Sequence, residues 1–80
     1  MWGAVMNDEE REIHKGLIQR VVVRRADGQR YRLSAQTESH WLHGVTVKLL
    51  PCGSGRTHWK SWERFKQEFR REDGRKIVEG

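Results

Sequence analysis

The chain reads as an α+β domain: a small antiparallel three- or four-stranded sheet, or a partly open barrel, with a C-terminal aromatic helix packed on one face. Three observations predict it. Residues 17–35, LIQRVVVRRADGQRYRLSA, place two β-rich runs around Asp27-Gly28, a strong short-range hairpin signal. Val45, Val47 and Leu49 alternate with Thr46 and Lys48, the period of a half-buried strand. Trp62, Phe65 and Phe69 follow the i, i+3, i+7 spacing of one helical face. Eighty residues make one domain, expected as a flexible lead over 1–6, a packed body over 7–73, and a tail or edge strand over 74–80.

Within the lead, Trp2 and Val5 could dock on the domain, but nothing fixes them. Asn7 can cap a helix, with Glu10 at the reciprocal capping position and Asp8, Glu9 and Glu10 suiting the helix dipole. Gly16 is expected to end this helix after about two turns, with Ile13 its one obvious buried side chain.

The hairpin that follows can close in two ways. A two-residue loop, Asp27-Gly28, pairs Leu33 with Val22 and Tyr31 with Arg24 and mixes both faces. A three-residue loop over 26–28 pairs Val23 with Tyr31, Val21 with Leu33 and Arg25 with Gln29. The opposite face then carries Arg24 against Arg30, Val22 against Arg32, and Arg20 against Ser34. Sheets half-exposed to water favour such segregation, and Gly28 supplies the positive φ that this loop needs. Arg24 facing Arg30 costs a few tenths of a kcal/mol, which solvent screening or an anionic ligand would offset.

Residues 36–43 are ambiguous between a short turn capped by Thr37 or Ser39 and a longer strand with a bulge at Gly44. The strand over 45–50 should stop at Pro51, with Lys48 joining the cationic face. Residues 56–60 are either a short strand or already helix. The aromatic helix is expected over 61–72, with Trp59 on the same side if it starts early, and with Asp73-Gly74 as its stop. Ile77 and Val78 could then add an edge strand. Phe65→Ala should cost about 3–5 kcal/mol.

Charge is uneven along the chain. The net formal charge is +5; residues 1–12 hold one basic and four acidic residues, whereas 13–36 hold six basic and one acidic. A positive field centred on the hairpin favours polyanionic partners. Cys52 is alone, so an intramolecular disulfide is excluded and a reducing, cytoplasmic setting is expected. The acidic start lacks the features of a signal peptide, and no run approaches the ~18 apolar residues of a membrane span.

Other motifs carry residue types with potential for chemistry. Lys60, Arg64, Gln67 and Arg71 form a second basic stripe diluted by Glu63, Glu68 and Glu72, which can pair within the helix. Gly53-Ser54-Gly55-Arg56-Thr57 could cradle an anion, but it lacks the GxxxxGK[ST] spacing of a nucleotide loop. His40, His43, Cys52 and His58 include ligand types that zinc accepts, at a spacing that matches no finger pattern; no metal or cofactor is expected. No nucleophile motif is recognisable. The exceptional enzymatic reading is a small RNA-cleaving toxin that uses His and Arg.

Gly53-Ser54-Gly55-Arg56-Thr57-His58-Trp59-Lys60 resembles the G-x-G-x-[ST]-K-K run that opens the second helix of double-stranded RNA-binding domains, and the order helix, three strands, helix is similar too. His58 and Trp59 stand where the lysines would be, and Trp62, Phe65 and Phe69 replace small residues, so no site residue is carried across. An SH3-like barrel closed by a helix fits the strand pattern nearly as well.

The expected function is therefore a small non-enzymatic nucleic-acid-binding accessory protein, DNA or RNA being its ligand. Arg20, Arg24, Arg30, Arg32 and Lys48 would contact the backbone. The alternative is a protein-interaction module, a small regulator or inhibitor of the kind mobile elements encode, that docks an acidic partner protein through Trp41 and Leu42.

Overall fold

The computed structural model of the chain describes residues 6–79. Its elements are α1 (Asp8–Leu17), β1 (Val21–Arg24), β2 (Arg30–His40), β3 (Gly44–Pro51), β4 (His58–Ser61), α2 (Trp62–Glu68) and β5 (Phe69–Arg71). All five strands join one open antiparallel sheet in the order β4-β3-β2-β1-β5. The α+β class, the antiparallel sheet and the aromatic helix on one face are as expected. The fifth strand, β5, is an addition: α2 carries the chain from the β4 edge to the opposite edge, beside β1.

The start of α1 follows its sequence signals. Asn7 Oδ1 accepts from the Glu10 amide at 2.8 Å, and Glu10 Oε1 accepts from the Asn7 amide at 3.3 Å, which completes the capping box. Its end does not follow them. Gly16 lies inside the helix, which runs to Leu17 with Ile18 as its C-cap. The buried stripe is Glu10, His14 and Leu17, with Ile13 only partly buried. Gln19 then adopts a left-handed conformation (φ 68°), alone among the described non-glycine residues, and turns the chain into β1.

The hairpin closes differently from either expected loop. Val22 pairs with Tyr31, Val21 with Arg32 and Val23 with Arg30, which leaves four residues, 25–28, in the connection. The Arg24 carbonyl accepts from Gly28 N at 2.8 Å, and Arg24 N donates to the Gln29 carbonyl at 2.9 Å. Asp27 braces the turn by accepting from the Gln29 amide at 3.0 Å. Gly28 has the expected positive φ, 73°. A one-residue shift in register inverts one strand relative to the other. Thus Val22, not Val21 and Val23, joins Tyr31 and Leu33 in the core, and Arg24 leaves the face of Arg30 and Arg32.

Residues 36–40 of the ambiguous segment belong to β2, which has a bulge between Leu33 and Thr37, and 41–43 form the turn into β3. That bulge, rather than one at Gly44, takes up the extra residues. In β3 the expected alternation holds, with Val47 and Leu49 fully buried and Val45 packed against the core. Residues 58–61 form strand β4, so the run resembling the RNA-binding signature leads into a strand and not a helix. The aromatic helix is shorter than expected. Ser61 is its N-cap, its Oγ accepting from Arg64 N at 3.2 Å, and Phe69 has already turned extended (φ −122°, ψ 159°).

Trp62, Phe65 and Phe69 nonetheless form a continuous buried cluster, with ring centroids 5.5 Å and 5.4 Å apart along the series. Tyr31 meets Phe69 edge-on at 5.6 Å. Burying each such ring contributes about 1.5–3 kcal/mol. Met6 and Ile77, expected in a flexible lead and a tail, are both in this core. Near the latter, only an isolated bridge from Arg70 to Lys76 forms in place of an edge strand. Trp2 and Val5 lie outside the described residues.

Candidate nucleic-acid interface

Strand parity divides the expected site residues. The core face takes Val22, Tyr31, Leu33, Val47 and Leu49, so their neighbours along each strand point outward. Arg30 and Arg32 on β2, and Lys48 and Leu50 on β3, therefore share the outer face. Lys48 pairs across to Trp59 on β4, and Arg30 pairs through Val23 to Arg70 on β5. Val23 is only 5% exposed although it lies outside the core cluster; its cross-strand neighbours are Arg30 and Arg70.

Arg24 is separate. Its guanidinium lies 5.4 Å from the Tyr31 ring centroid and forks onto Asp27, at 3.1 Å from Nε and 2.7 Å from Nη2. The Arg24 hydrogen bond, with that of the Gln29 amide, lowers the Asp27 carboxyl to about 2. Arg24 is thus a turn clamp, and the like-charge pair expected between Arg24 and Arg30 does not form.

Arg20, Arg30 and Arg32 instead converge on an open cleft of about 750 Å³ at the β1 end of the face. Arg71 also lines it, as do Glu72 and Asp73. Arg30 is paired with Glu72, and both side chains are more than half exposed. Arg32 Nη1 donates to the Gln19 carbonyl at 2.7 Å, so the left-handed turn at Gln19 orients it. Lys48 Nζ donates to Gln36 Oε1 at 2.9 Å and lies 5.8 Å from the Trp59 ring centroid. Arg71 is committed to the carbonyls of Lys76 and Ile77, at 3.1 Å and 2.9 Å, which pins the segment after β5.

Two contributors escaped the sequence reading. Arg70 sits in what reads as helix. Trp59 would join the inward aromatics only if the helix started early; it lies on β4 instead and is 43% exposed on the outer face. The N-cap at Ser61 was the available signal. Once the helix begins after it, Trp59 obeys strand alternation and separates from Trp62.

The other candidates are dispersed. Lys60 and Arg64 pair with Glu68, and Lys66 pairs with Glu63 and Glu10, so the helix stripe is largely self-compensated. His40 and His43 stack at 4.7 Å on the β2–β3 turn, His58 meets Tyr31 edge-on at 5.6 Å, and Cys52 is exposed in the following loop. Among the described residues no group of three metal-ligating side chains forms. At the same turn, Trp41 is 77% and Leu42 55% exposed. Among the described residues no helix is long and apolar enough to cross a membrane.

No protein-family model, curated protein or solved structure matches this chain.

Proposed function

We propose that this is a non-enzymatic nucleic-acid-binding protein whose outer sheet face contacts the phosphate backbone. The observation carrying the reading is the shared face of Arg30, Arg32 and Lys48, which Arg70 extends and which opens into the cleft containing Arg20. The face is not purely cationic: Glu38 lies toward the β2–β3 turn and Glu72 borders the cleft. An exposed ion pair such as Arg30–Glu72 is worth only about 0–1 kcal/mol, so a phosphate can replace the carboxylate at little cost. Arg32 has further donors besides the one held by Gln19, and guanidinium donors fit phosphate oxygens in pairs.

Binding of this kind releases counterions and weakens steeply with salt. Fluorescence anisotropy with labelled DNA and RNA oligonucleotides tests it directly. Binding is expected at ~50 mM salt and should fall along a straight log–log line as salt rises. Absence of binding at that salt contradicts the reading.

A second reading rests on Trp41 and Leu42. Large apolar side chains on a protruding turn are an uncommon use of surface and mark protein contacts. In this reading the chain is an interaction module that docks an acidic protein, and Trp41→Ser with Leu42→Ser abolishes co-purification of that partner while leaving oligonucleotide affinity unchanged.

A further inference from the structure

Resting on the nucleic-acid reading, we infer that the ligand is single-stranded and that Trp59 is a stacking platform for one of its bases. Trp59 occupies the outer side of the edge strand β4, with Lys48 as its direct cross-strand neighbour. Lys48 is followed on the same side of β3 by Leu50, which pairs with Arg32 on β2, and Arg30 lies two residues from Arg32. Strand and residue spacings put Trp59 and Arg30 roughly 16 Å apart along the sheet. The face therefore presents an aromatic ring at one end, cations along its length and a basic cleft at the other end.

That combination selects among polyanions. Duplex bases are stacked on one another and offer no free face to an indole in mid-helix. Polysaccharide sulfates and acidic peptides bring charge without a planar ring. A single strand brings phosphates for Arg32, Arg30 and Lys48 together with an unstacked base for Trp59, and base–aromatic stacking is tolerant of sequence. The Lys48 ammonium, 5.8 Å from the indole centroid and hydrogen-bonded to the neutral Gln36 amide, can move to a phosphate as a base arrives.

The test compares three probes at equal total phosphate concentration: a thymidine 12-mer, the same backbone without bases, and a 12-base-pair duplex, which carries twice the phosphates per molecule and is compared per phosphate. Each is titrated at ~50 mM salt into the full chain and into Trp59→Ala and Trp59→Leu. The thymidine strand should bind the unaltered protein roughly 5- to 100-fold more tightly than the abasic strand, and both variants should lose most of that margin while holding the abasic affinity within twofold. The Leu variant keeps an apolar side chain, and thermal unfolding of both variants checks that each is folded. Equal affinity for thymidine and abasic strands, a preference for the duplex, or unchanged thymidine binding in both folded variants overturns the stacking inference and leaves the cationic face standing. Failure of all three probes overturns the stacking inference and the nucleic-acid reading together.

Discussion

Arg24 and Arg32 lie on opposite sides of one sheet, although each flanks the same core residue pair, Val22 and Tyr31. Arg24 sits over the Tyr31 ring and clamps Asp27, whereas Arg32 pairs with Val21 on the outer face and takes its orientation from the Gln19 carbonyl. The first arginine belongs to the architecture of the turn and the second to the surface proposed to bind. Their substitutions should therefore have different consequences.

Core packing makes Phe65 a highly sensitive apolar position in the helix. It is fully buried between Trp62 and Phe69. Phe65→Ala should lower stability by about 3–5 kcal/mol, and Phe65→Leu by clearly less. Urea unfolding followed by far-UV circular dichroism measures both. A loss below about 1 kcal/mol for the alanine variant would mean that the aromatic cluster is not the core.

Trp59 and Trp62 lie three residues apart yet face in opposite directions. Trp62→Ala should destabilise by about 3–5 kcal/mol, and Trp59→Ala, removing a ring already 43% exposed, by much less. Equal destabilisation in the same urea experiment would place Trp59 inside and remove the stacking platform.

Glu10 fastens α1 to α2. Its Oε2 accepts from Trp62 Nε1 at 3.0 Å and from Lys66 Nζ at 2.8 Å. Burial opposes ionisation of this carboxyl, but the hydrogen bonds from Lys66, Trp62 and the Asn7 amide outweigh it and hold its pKa below the ordinary 4.5. A depressed acid contributes stability above its unfolded pKa and loses it as pH falls through the folded value. Unfolding free energy should therefore drop with acidification below about pH 4.5, and Glu10→Gln should cost about 1–3 kcal/mol at neutral pH and flatten that drop. An unchanged acid limb in the variant would remove Glu10 from the account.

His14 acts in a higher pH window. It is buried edge-on to Trp62 at 6.1 Å, and its Nε2 has no hydrogen-bond partner among the described residues. Burial lowers its pKa below 6.5. For a base held neutral in the fold, the unfolded chain gains the proton first, so stability is complete above pH 6.5 and declines as pH falls toward the folded value. His14→Leu removes both the titration and the orphaned nitrogen. Denaturant midpoints should then change little between pH 7.5 and 5.5, and the midpoint at pH 7.5 should be equal or higher. A variant that keeps the full loss over that interval would contradict the assignment.

What the residues disclosed in advance follows from how strongly each pattern is constrained. The β3 alternation has polar residues on one side and apolar residues on the other, so its faces were legible. In β1 the run Val21-Val22-Val23 is apolar in both phases, and only the loop length chooses between them. That length is set by a turn in which Asp27 caps the Gln29 amide and receives Arg24, a combination that leaves four residues in the connection instead of three. The β2 assignment survived because Arg30 and Arg32 alternate with Tyr31 and Leu33. The candidate site was therefore half legible. Arg30, Arg32 and Lys48 share a face as their alternation implies, Arg24 lies on the other face because of the loop length, and Arg70 and Trp59 are masked by helical periodicity that runs past both ends of a seven-residue helix.

The account rests on the outer face as a phosphate-contacting surface. Its most direct test is the salt dependence of single-strand affinity for the unaltered chain, for Arg30→Ala with Arg32→Ala, and for Arg24→Ala. Removing Arg30 and Arg32 should weaken binding and reduce the log–log salt slope by about 1.4, at ~0.7 per phosphate contact on a single strand. Arg24→Ala should leave affinity and slope as they were. Equal effects from the two changes, or an undiminished slope without Arg30 and Arg32, would contradict the account.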